Sequence, residues 1–512
     1  MLVLFGLLVI LSLGFIAPWG EFPSTDDWVY TQNILNTLAA GKFTLSTGQY
    51  AYAIPQVLLG LLLVKPNEPP FLRLRWIGII SGFLAVIFLV GLCQKALKQK
   101  SPILSFLGAI SIFFFVPYFQ PSLTFMTDVP AFFFWVLSVW TLALFLEKNT
   151  FALWLVALIT NVVAVSERQL AVFIPFSMVL AQNIGFRPSQ RLKGVIQVFK
   201  KSYPIIAFVI PLILIQWWWM RISTVKTPDS SFSPNPGVFI RFSRQLIYLG
   251  WTAIPFLFIP IEGKASPHAK AIFKKCLLVF SFGFVLHVAD GLWFNKVLLP
   301  PFVGVILDKL GVLSVLVPGT PETVFSVPLR GLLLILGFVG VLRILWGCSL
   351  LLEEKEKSKS VEVVLWSSLF YSVFICFRAT QFDRYFIPVL PLSLLCIFKT
   401  CSLEEISVKR RVGTLVVSAA YLLFATTLVF DYFRWNEARK EAFEFATSTG
   451  VAPNNICAGL EYDGRYETNL KECSYTISFS ESPGFKLEKV FPYASIWGSP
   501  LRYLYLLRRS TS

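Results

Sequence analysis

The chain has 512 residues, of which 55% are hydrophobic and only 14% are charged. This composition excludes a soluble globular protein and predicts an all-α polytopic membrane protein. The net charge of +16 is then explained by membrane topology and attraction to anionic membrane lipids. Nucleic acid is not an expected partner, because the sequence has no soluble basic domain that would carry the contacts.

Apolar windows of about 20 residues mark the helices that cross a membrane. On this criterion the sequence predicts about thirteen spans, near 2–18, 74–93, 103–119, 130–146, 151–165, 170–184, 203–220, 246–261, 277–294, 329–351, 363–377, 385–400 and 412–430. The first stretch has neither a basic start nor a small-residue cleavage site. We therefore expect a retained span there, not a signal peptide.

Basic residues recur in five loops between the predicted spans, at 95–100, 187–201, 264–275, 355–359 and 409–411. All five fall on one side of the predicted topology, which the positive-inside rule assigns to the cytoplasm. The protein is then expected in the plasma (inner) membrane as a multi-pass protein.

The same topology divides the chain into a transmembrane domain at 1–430 and an external C-terminal segment at 431–512. Two long loops, at 19–73 and 296–328, also fall outside. The C-terminal segment is long enough for a small mixed α/β unit, and its basic, aromatic tip could touch lipid headgroups.

The stretch Ser24–Gly41, STDDWVYTQNILNTLAAG, opens the first external loop and predicts an amphipathic surface helix. Ser24 and Asp27 have the spacing of a capping box, and Gly41 supplies a stop. Because a helix N-terminus favours ionised carboxylates, Asp26 and Asp27 are both expected to be charged. The apolar stretch 53–64 is too short to cross the membrane and predicts a second surface helix.

Charged and polar residues gather at the external ends of the predicted spans: Asp26, Asp27, Arg73, Arg75, Asp128, Glu167, Arg168, Arg378, Asp383, Arg384 and Tyr385. A charge at the centre of a membrane helix costs about 2.5 to 3.5 kcal/mol on insertion scales. Single charges at span ends are often interfacial anchors. A set that converges from several loops on one boundary is instead a candidate functional site.

One reaction that needs such a set is the transfer of a sugar from a lipid phosphate to a hydroxyl group. A carboxylate takes the proton of the acceptor, and cations bind the departing phosphate. Phosphate is already a good leaving group, so the second carboxylic acid of glycoside hydrolysis is not required. Asp26 could be the base, with Arg168 and Arg384 neutralising phosphate and Tyr385 adding a hydrogen bond.

These residues resemble the GT-C superfamily of membrane glycosyltransferases. The similarity is to the glycosyltransferase family 39 type, the branch of protein O-mannosyltransferases and of the aminoarabinose transferase that modifies lipid A. The segment DDWVY at 26–30 matches the family's acidic pair followed by Tyr, with Asp27 where Glu is commoner. Three further matches are TDVP around Asp128, the Arg168–Gln169 pair, and RYFIP at 384–388. The tail segments WNEARKEA and CAGLEYDG also resemble the external tail of bacterial members.

The resemblance implies a GT-C fold, a polyprenyl-phosphate-linked sugar donor, and inverting transfer on the periplasmic or exterior face. The acceptor could be a lipid, a glycan or a protein. Together with the chemistry above, it gives catalytic Asp26, Asp27 and Asp128; donor phosphate-binding Arg168, Arg384, Tyr385 and Arg75; and supporting Tyr30, Gln169 and Arg378.

A divalent cation is the one cofactor to consider, held by the oxygens of Asp26 and Asp128. The two histidines of the chain, His268 and His287, are too few for a histidine-rich zinc site. In the tail, Cys457 and Cys473 are candidates for a disulfide, which an oxidising compartment would permit.

Three alternatives remain open. A transporter or flippase would place ionisable residues near the bilayer midplane on broken, paired helices, whereas here the polar groups sit at one boundary and Asp290 is one of few charges within a span. An O-antigen ligase or polymerase would also use a lipid-linked glycan, on another scaffold. A noncatalytic GT-C relative would keep the fold without the activity, and the presence of Asp26 argues against it.

Overall fold

The computed structural model describes residues 2–44, 51–66, 68–177, 210–211, 213–218, 221, 235, 237–261, 266–293, 306–354, 357–378, 382–402, 407–470 and 472–510. Its helices in chain order are α1 Leu2–Ile16, α2 Asp27–Ala40, α3 Ile54–Leu63, α4 Phe71–Ala96, α5 Pro102–Phe113, α6 Val116–Ser122, α7 Asp128–Lys148, α8 Phe151–Glu167, α9 Gly237–Trp251, α10 Pro267–Trp293, α11 Val327–Glu353, α12 Lys359–Cys376, α13 Leu390–Lys399, α14 Val408–Ser448 and α15 Leu460–Arg465. The predicted spans 170–184 and 203–220 lie largely outside the described residues.

Within the described ranges, six helices are long and apolar enough to cross a membrane: α4, α7, α10, α11, α12 and α14. Helices α5 and α6 meet at a bend of 74° and would together make a seventh span. The chain is therefore a multi-pass integral membrane protein, and the predicted all-α class is confirmed.

The count of about thirteen spans is not reached in this part of the chain, because several apolar windows form shorter helices. The window at 385–400, for example, divides into a 3-10 helix, Asp383–Val389, and the ten residues of α13. Pro388 and Pro391 lie at this junction, and proline removes a backbone donor. Apolar composition measures burial in lipid and does not reveal such breaks.

The helix ends sort into two groups. At one end, Lys95 in the last turn of α4 pairs with Glu147 at 2.6 Å, and Ser358 before α12 donates to the carbonyl oxygen of Ala96 at 2.9 Å. The Ser266 hydroxyl also contacts Glu353 there. The loop at 95–100 and the described parts of the loops at 264–275 and 355–359 thus share one end of the bundle. The starts of α4 and α7 and the ends of α8 and α12 lie at the other, here called the site end.

Glycines allow several helices to touch through their backbones. A Cβ atom on Gly340 of α11 would overlap the carbonyl oxygen of Gly250 on α9, and one on Gly347 would overlap the carbonyl oxygen of Cys396 on α13. Close approach through small residues is a common way for membrane helices to pack. At the site end, Gly78 of α4 receives the carbonyl oxygen of Thr124 in the same manner, which places the segment that leads into α7.

Both predicted surface helices are present. Helix α2 ends at Gly41, whose φ of 64° is the left-handed conformation expected of a stop, and α3 covers most of the stretch 53–64. The expected capping box is only half formed. The Ser24 amide donates to Asp27 Oδ1 at 2.6 Å, but the Ser24 hydroxyl contacts the Tyr432 hydroxyl on α14 instead of capping the helix. Helix α2 consequently starts at Asp27, with Asp26 at the N-cap.

The C-terminal segment is the predicted mixed α/β unit. Earlier in the chain, β1 Leu307–Asp308 and β2 Gly311–Val312 form a separate short hairpin. The sheet of the C-terminal unit has the strands β3 Ile456–Cys457, β4 Tyr475–Ser478, β5 Phe485–Ala494 and β6 Leu501–Arg509. The order is β3-β4-β6-β5, with β3 parallel to β4 and the other pairs antiparallel. A disulfide joins Cys457 to Cys473, with their Cα atoms 5.7 Å apart.

This unit is joined to the membrane domain without a linker. Helix α14 has 41 residues, about 60 Å at 1.5 Å per residue, and it runs straight through the predicted boundary at residue 430. A bilayer core takes about 30 Å of helix, so half of α14 is free to pack against the C-terminal unit and the first external loop.

Candidate functional site

The site is centred on an ion pair between Asp26 and Arg384. Asp26 lies at the N-cap of α2, and Arg384 lies in the 3-10 helix before α13, 358 positions further along the chain. Arg384 Nη2 is 2.7 Å from Asp26 Oδ2. The Arg384 side chain is 8% exposed, whereas that of Asp26 is 40% exposed. The pair therefore presents an accessible carboxylate on a buried guanidinium.

A second ion pair lies behind the first. Asp128, the first residue of α7, accepts from Arg168 Nη1 at 2.7 Å, and its other oxygen is 4.0 Å from Arg384 Nη1. The Asp128 side chain is 2% exposed. Two carboxylates and two guanidinium groups thus alternate from Asp26 to Arg168, and four separate chain segments contribute them. Sequence reasoning predicted all four.

Burial and charge act in opposite directions on the two arginines. Burial alone would lower the pKa of Arg384, but the negative charges of Asp26 and Asp128 raise it above its ordinary value. Burial likewise acts to lower the pKa of Arg168, and Asp128 raises it. Both guanidinium groups therefore remain charged throughout the physiological range and can bind an anion.

Asp383 fixes the turn that carries Arg384. Its carboxylate accepts from the backbone amides of Leu307 at 2.8 Å, Ile306 at 3.1 Å and Arg384 at 2.9 Å. Burial raises the pKa of Asp383 to about 6, although these hydrogen bonds oppose the shift. Asp383 is thus part of the scaffold of the site, joining the Arg384 turn to the start of β1.

Aromatic residues surround the arginines. The guanidinium carbons of Arg168 and Arg378 each lie 5.7 Å from the centre of the Tyr385 ring, and that of Arg384 lies 5.9 Å away. Such distances allow cation–π attraction. The structure therefore brings the predicted residues Arg378 and Tyr385 to the cluster, with Gln169 next to Arg168 in the chain.

Tyr30 of α2 lies on the other side of the cluster. The Thr127 hydroxyl, one residue before Asp128, donates to the Tyr30 hydroxyl at 3.5 Å. Burial, and then the charge of Asp26, raise the pKa of Tyr30 above its ordinary value. Tyr30 is therefore a neutral hydroxyl next to the carboxylates and has the position of a supporting residue.

Asp27 differs from the expectation that both adjacent carboxylates are charged. Its side chain is fully buried, and burial raises its pKa to about 8, while the Ser24 hydrogen bond and Arg75 oppose the shift. The carboxyl group is thus protonated at neutral pH. Its hydrogen bond from the Ser24 amide stabilises the first external loop. This buried contact lends no support to the predicted catalytic role of Asp27.

Arg75 also contacts the backbone of the first external loop. Its guanidinium donates to the carbonyl oxygens of Pro18 at 2.7 Å and Phe22 at 3.0 Å, and it also bonds Gly20. The residue is 1% exposed. These contacts join α4 to the loop before Asp26, and they give no support to the predicted phosphate-binding role of Arg75.

A divalent cation does not fit this arrangement. Within the described part of the chain, no group of three or more His, Cys, Asp or Glu side chains is placed to hold a metal ion. Asp26 and Asp128, the carboxylates predicted for this role, are each paired with an arginine. We derive no step of a reaction through a metal.

Sequence reasoning missed a second buried ion pair close to the site. Arg439 of α14 and Glu461 of α15 are 2.8 Å apart, and both side chains are fully buried. Glu461 also accepts from the backbone amide of Thr25 at 3.1 Å. Charges in a polar tail are ordinarily solvated, so nothing in the segments WNEARKEA and CAGLEYDG indicated that Arg439 and Glu461 are buried. The one available signal was the resemblance of both segments to related tails.

The fold and the site define a multi-pass membrane protein with an accessible carboxylate beside one buried and one partly buried arginine at one end of its helix bundle. No protein-family model matches the chain, and no curated protein sequence matches it. Among solved structures it is similar to ArnT from Cupriavidus metallidurans bound to undecaprenyl phosphate, at 10% identity and a TM-score of 0.44 over 91% of this chain and 75% of that one.

The apo structure of the same protein gives 10% identity and a TM-score of 0.41, over 91% of this chain and 84% of that one. Both of these structures are of ArnT. At this level of similarity we base no inference about function on the likeness.

Proposed function

We propose that this protein is an integral membrane glycosyltransferase that moves a sugar from a polyprenyl-phosphate-linked donor to an acceptor hydroxyl group. The observation that carries the proposal is the accessible Asp26 carboxylate held 2.7 Å from the buried guanidinium of Arg384. Proton removal and phosphate binding need these two groups side by side. Both lie at the site end of the helix bundle, and we place the phosphate of the donor lipid there.

In the proposed reaction, Asp26 accepts the proton of the acceptor hydroxyl as its oxygen attacks the anomeric carbon of the sugar. The bond from that carbon to the phosphate oxygen breaks, and the lipid phosphate leaves with the electron pair. Arg384 and Arg168 stabilise the charge that develops on the phosphate. A single displacement of this kind inverts the anomeric carbon.

Asp128 has a different task in this scheme. It is almost fully buried between Arg168 and Arg384, where it cannot reach a bulky substrate. Removing a carboxylate from between two buried cations would leave their repulsion uncompensated. We assign Asp128 the role of holding both arginines in the site. Arg378 adds a further positive charge beside the ring of Tyr385, and the Tyr385 hydroxyl could donate to the donor phosphate.

The donor class rests on the arginine cluster at a membrane boundary and on the motif resemblance. On these two grounds we propose a polyprenyl phosphate as the lipid of the donor. The active site is proposed to face the periplasm or exterior, opposite to the end that carries the basic loops. A lipid, a glycan and a protein all remain acceptor classes.

The test is mass spectrometry of cellular lipids and surface glycans in strains with the wild-type protein, a deletion, and Asp26→Asn. We expect one glycosyl mass to disappear in both altered strains while the bare acceptor accumulates. The matched control is Glu444→Gln, at a carboxylate that is 62% exposed on α14 and should leave the profile unchanged. Normal glycosylation in the deletion strain would contradict the proposal, and normal transfer by Asp26→Asn would contradict the role of Asp26 as the base.

A further inference from the structure

The Arg439–Glu461 pair lies next to the proposed site but outside it. Its two atoms, Arg439 Nη1 and Glu461 Oε2, are 2.8 Å apart, and both side chains are 0% exposed. Burying two charges costs several kcal/mol each, so a buried pair is favourable only when further polar contacts complete it. The partners that complete this pair show what it holds.

Those partners lie on both sides of Ser24. Glu461 Oε1 accepts from the Thr25 amide at 3.1 Å. Arg439 Nη2 donates to the carbonyl oxygen of Pro23 at 3.4 Å and to Asn436 Oδ1 at 2.6 Å. One ion pair thus binds the backbone immediately before and immediately after Ser24, and the next residue along the chain is Asp26.

The backbone that the pair holds is strained. Thr25 has a φ of 52°, in the left-handed region that β-branched residues rarely adopt. Such a conformation costs on the order of 1–3 kcal/mol and persists where the surrounding structure enforces it. The hydrogen bond from the Thr25 amide to Glu461 is one such constraint, and it acts one residue before the carboxylate of the site.

A separate contact presses the C-terminal unit onto the same turn. A Cβ atom on Gly464 of α15 would overlap the ring of Trp28, which is in the first turn of α2. Helix α15 therefore packs directly against the residues that follow Asp26 and Asp27. The segment 23–28 is thus held at its start by the ion pair and at its end by the packing of Trp28 on Gly464.

We infer that Arg439 and Glu461 are positioning residues, which fix the backbone at 23–25 so that the Asp26 carboxylate is directed to Arg384 and the acceptor hydroxyl. The inference rests on the proposed function for the consequence in catalysis. Its structural part, that the ion pair holds the segment before Asp26, stands separately. Under this inference the C-terminal unit takes part in transfer without contacting the substrate.

The test replaces both charges at once, with Arg439→Met and Glu461→Leu in the same chain. Apolar replacement of a whole buried pair is often neutral for stability, whereas removal of one partner is not. We expect a folded protein whose kcat falls at least about tenfold while the KM for the lipid-linked donor changes less than about threefold, because misplacement of a base by about 1 Å can cost 10²-fold. The matched control is Lys440→Met with Glu444→Leu, an i,i+4 pair on the same helix at 3.6 Å, which should leave kcat unchanged.

Hydrogen exchange of the peptide that covers 20–30, followed by mass spectrometry, gives a readout that needs no activity. The double variant should exchange faster there, with unchanged exchange over β4 to β6, and the control variant should match the wild type. Unchanged exchange at 20–30, or unchanged kcat in the folded double variant, would overturn the inference. If the wild type transfers no sugar, the proposed function fails while hydrogen exchange still decides the positioning.

If the double variant does not fold, Glu461→Asp takes its place. This change keeps both charges but draws the carboxylate back by one methylene, out of hydrogen-bond reach of the Thr25 amide. It should also speed exchange at 20–30 and lower kcat, and it overturns the inference if it does neither.

Discussion

Asp26 and Asp27 are consecutive residues with opposite surroundings. The positive potential at a helix N-terminus stabilises a carboxylate by about 0.3–1 kcal/mol. The rise in the pKa of Asp27 from 3.8 to about 8 corresponds to several kcal/mol, since one pKa unit is about 1.36 kcal/mol. Burial therefore outweighs the helix terminus at Asp27, and the exposed Asp26 is the one carboxylate of the two with access to a substrate.

This difference has a consequence for stability against pH. The folded protein holds a proton on Asp27 that the unfolded chain releases above pH 3.8, so folding stability should fall as the pH rises from about 4 to about 8. Asp27→Asn removes this proton release and keeps an oxygen for the Ser24 amide. We expect its thermal midpoint to exceed that of the wild type at pH 9 by more than at pH 5. Parallel midpoint curves over this range would contradict the burial of a neutral Asp27.

Arg384 should not tolerate lysine. Lysine keeps the positive charge but loses the planar fork that can reach Asp26 and Asp128 together. We expect Arg384→Lys to raise the KM for the lipid-linked donor by about tenfold or more, in line with loss of a charge-assisted contact of roughly 1.5–3 kcal/mol. Steady-state kinetics in detergent measure this KM. The control is Arg410→Lys, in the first turn of α14. An unchanged donor KM would show that Arg384 is an interfacial anchor.

Much of the site could be predicted from charges at span ends, because a charge beside lipid is costly and its position is therefore informative. The set predicted in this way includes the four residues of the two ion pairs: Asp26, Asp128, Arg168 and Arg384. The burial of Asp27 could not be predicted, since it depends on the C-terminal unit, more than 400 residues away, packing over the first external loop. The same distance hid Glu461.

Helices show a similar division at the scale of elements. Apolar length predicted α4, α7 and α11 well, because burial in lipid depends directly on composition. It overestimated the number of continuous spans where proline interrupts an apolar window, as before α13. The predicted boundary at residue 430 falls inside α14, because the helix continues past its apolar part to Ser448.

The contact between α9 and α11 gives a prediction at this scale. A Cβ at Gly340 would overlap the backbone carbonyl of Gly250, and backbone cannot move aside as a side chain can. We expect Gly340→Ala to lower the thermal midpoint in detergent, by an amount that corresponds to about 1–3 kcal/mol of overpacking. Gly14→Ala on α1 is the control, because a Cβ there meets nothing within 4 Å. Equal midpoints for both variants would contradict the packing of α9 on α11.

At the scale of the whole molecule, charge separates the two ends of the bundle. Among the described residues, the basic loops that follow α4, precede α10 and precede α12 share one end, and the proposed site and the C-terminal unit share the other. The positive-inside rule then predicts that the two ends lie in different compartments. A thiol reagent that cannot cross the membrane should label Glu444→Cys in intact cells and should label Lys98→Cys only after the membrane is opened. Labelling of both from outside would contradict the predicted orientation.

The length of helix α14 sets the distance between two contacts with the first external loop. Tyr432, which contacts Ser24, and Arg439, which contacts Pro23, are seven residues apart on it, close to two full turns at 3.6 residues per turn. One inserted residue between them would turn Arg439 by about 100° away from the loop, whereas seven would restore its direction but carry it about 10 Å further along the axis. The length of this short stretch is therefore tightly constrained, because both its angular phase and its rise determine where Asp26 points.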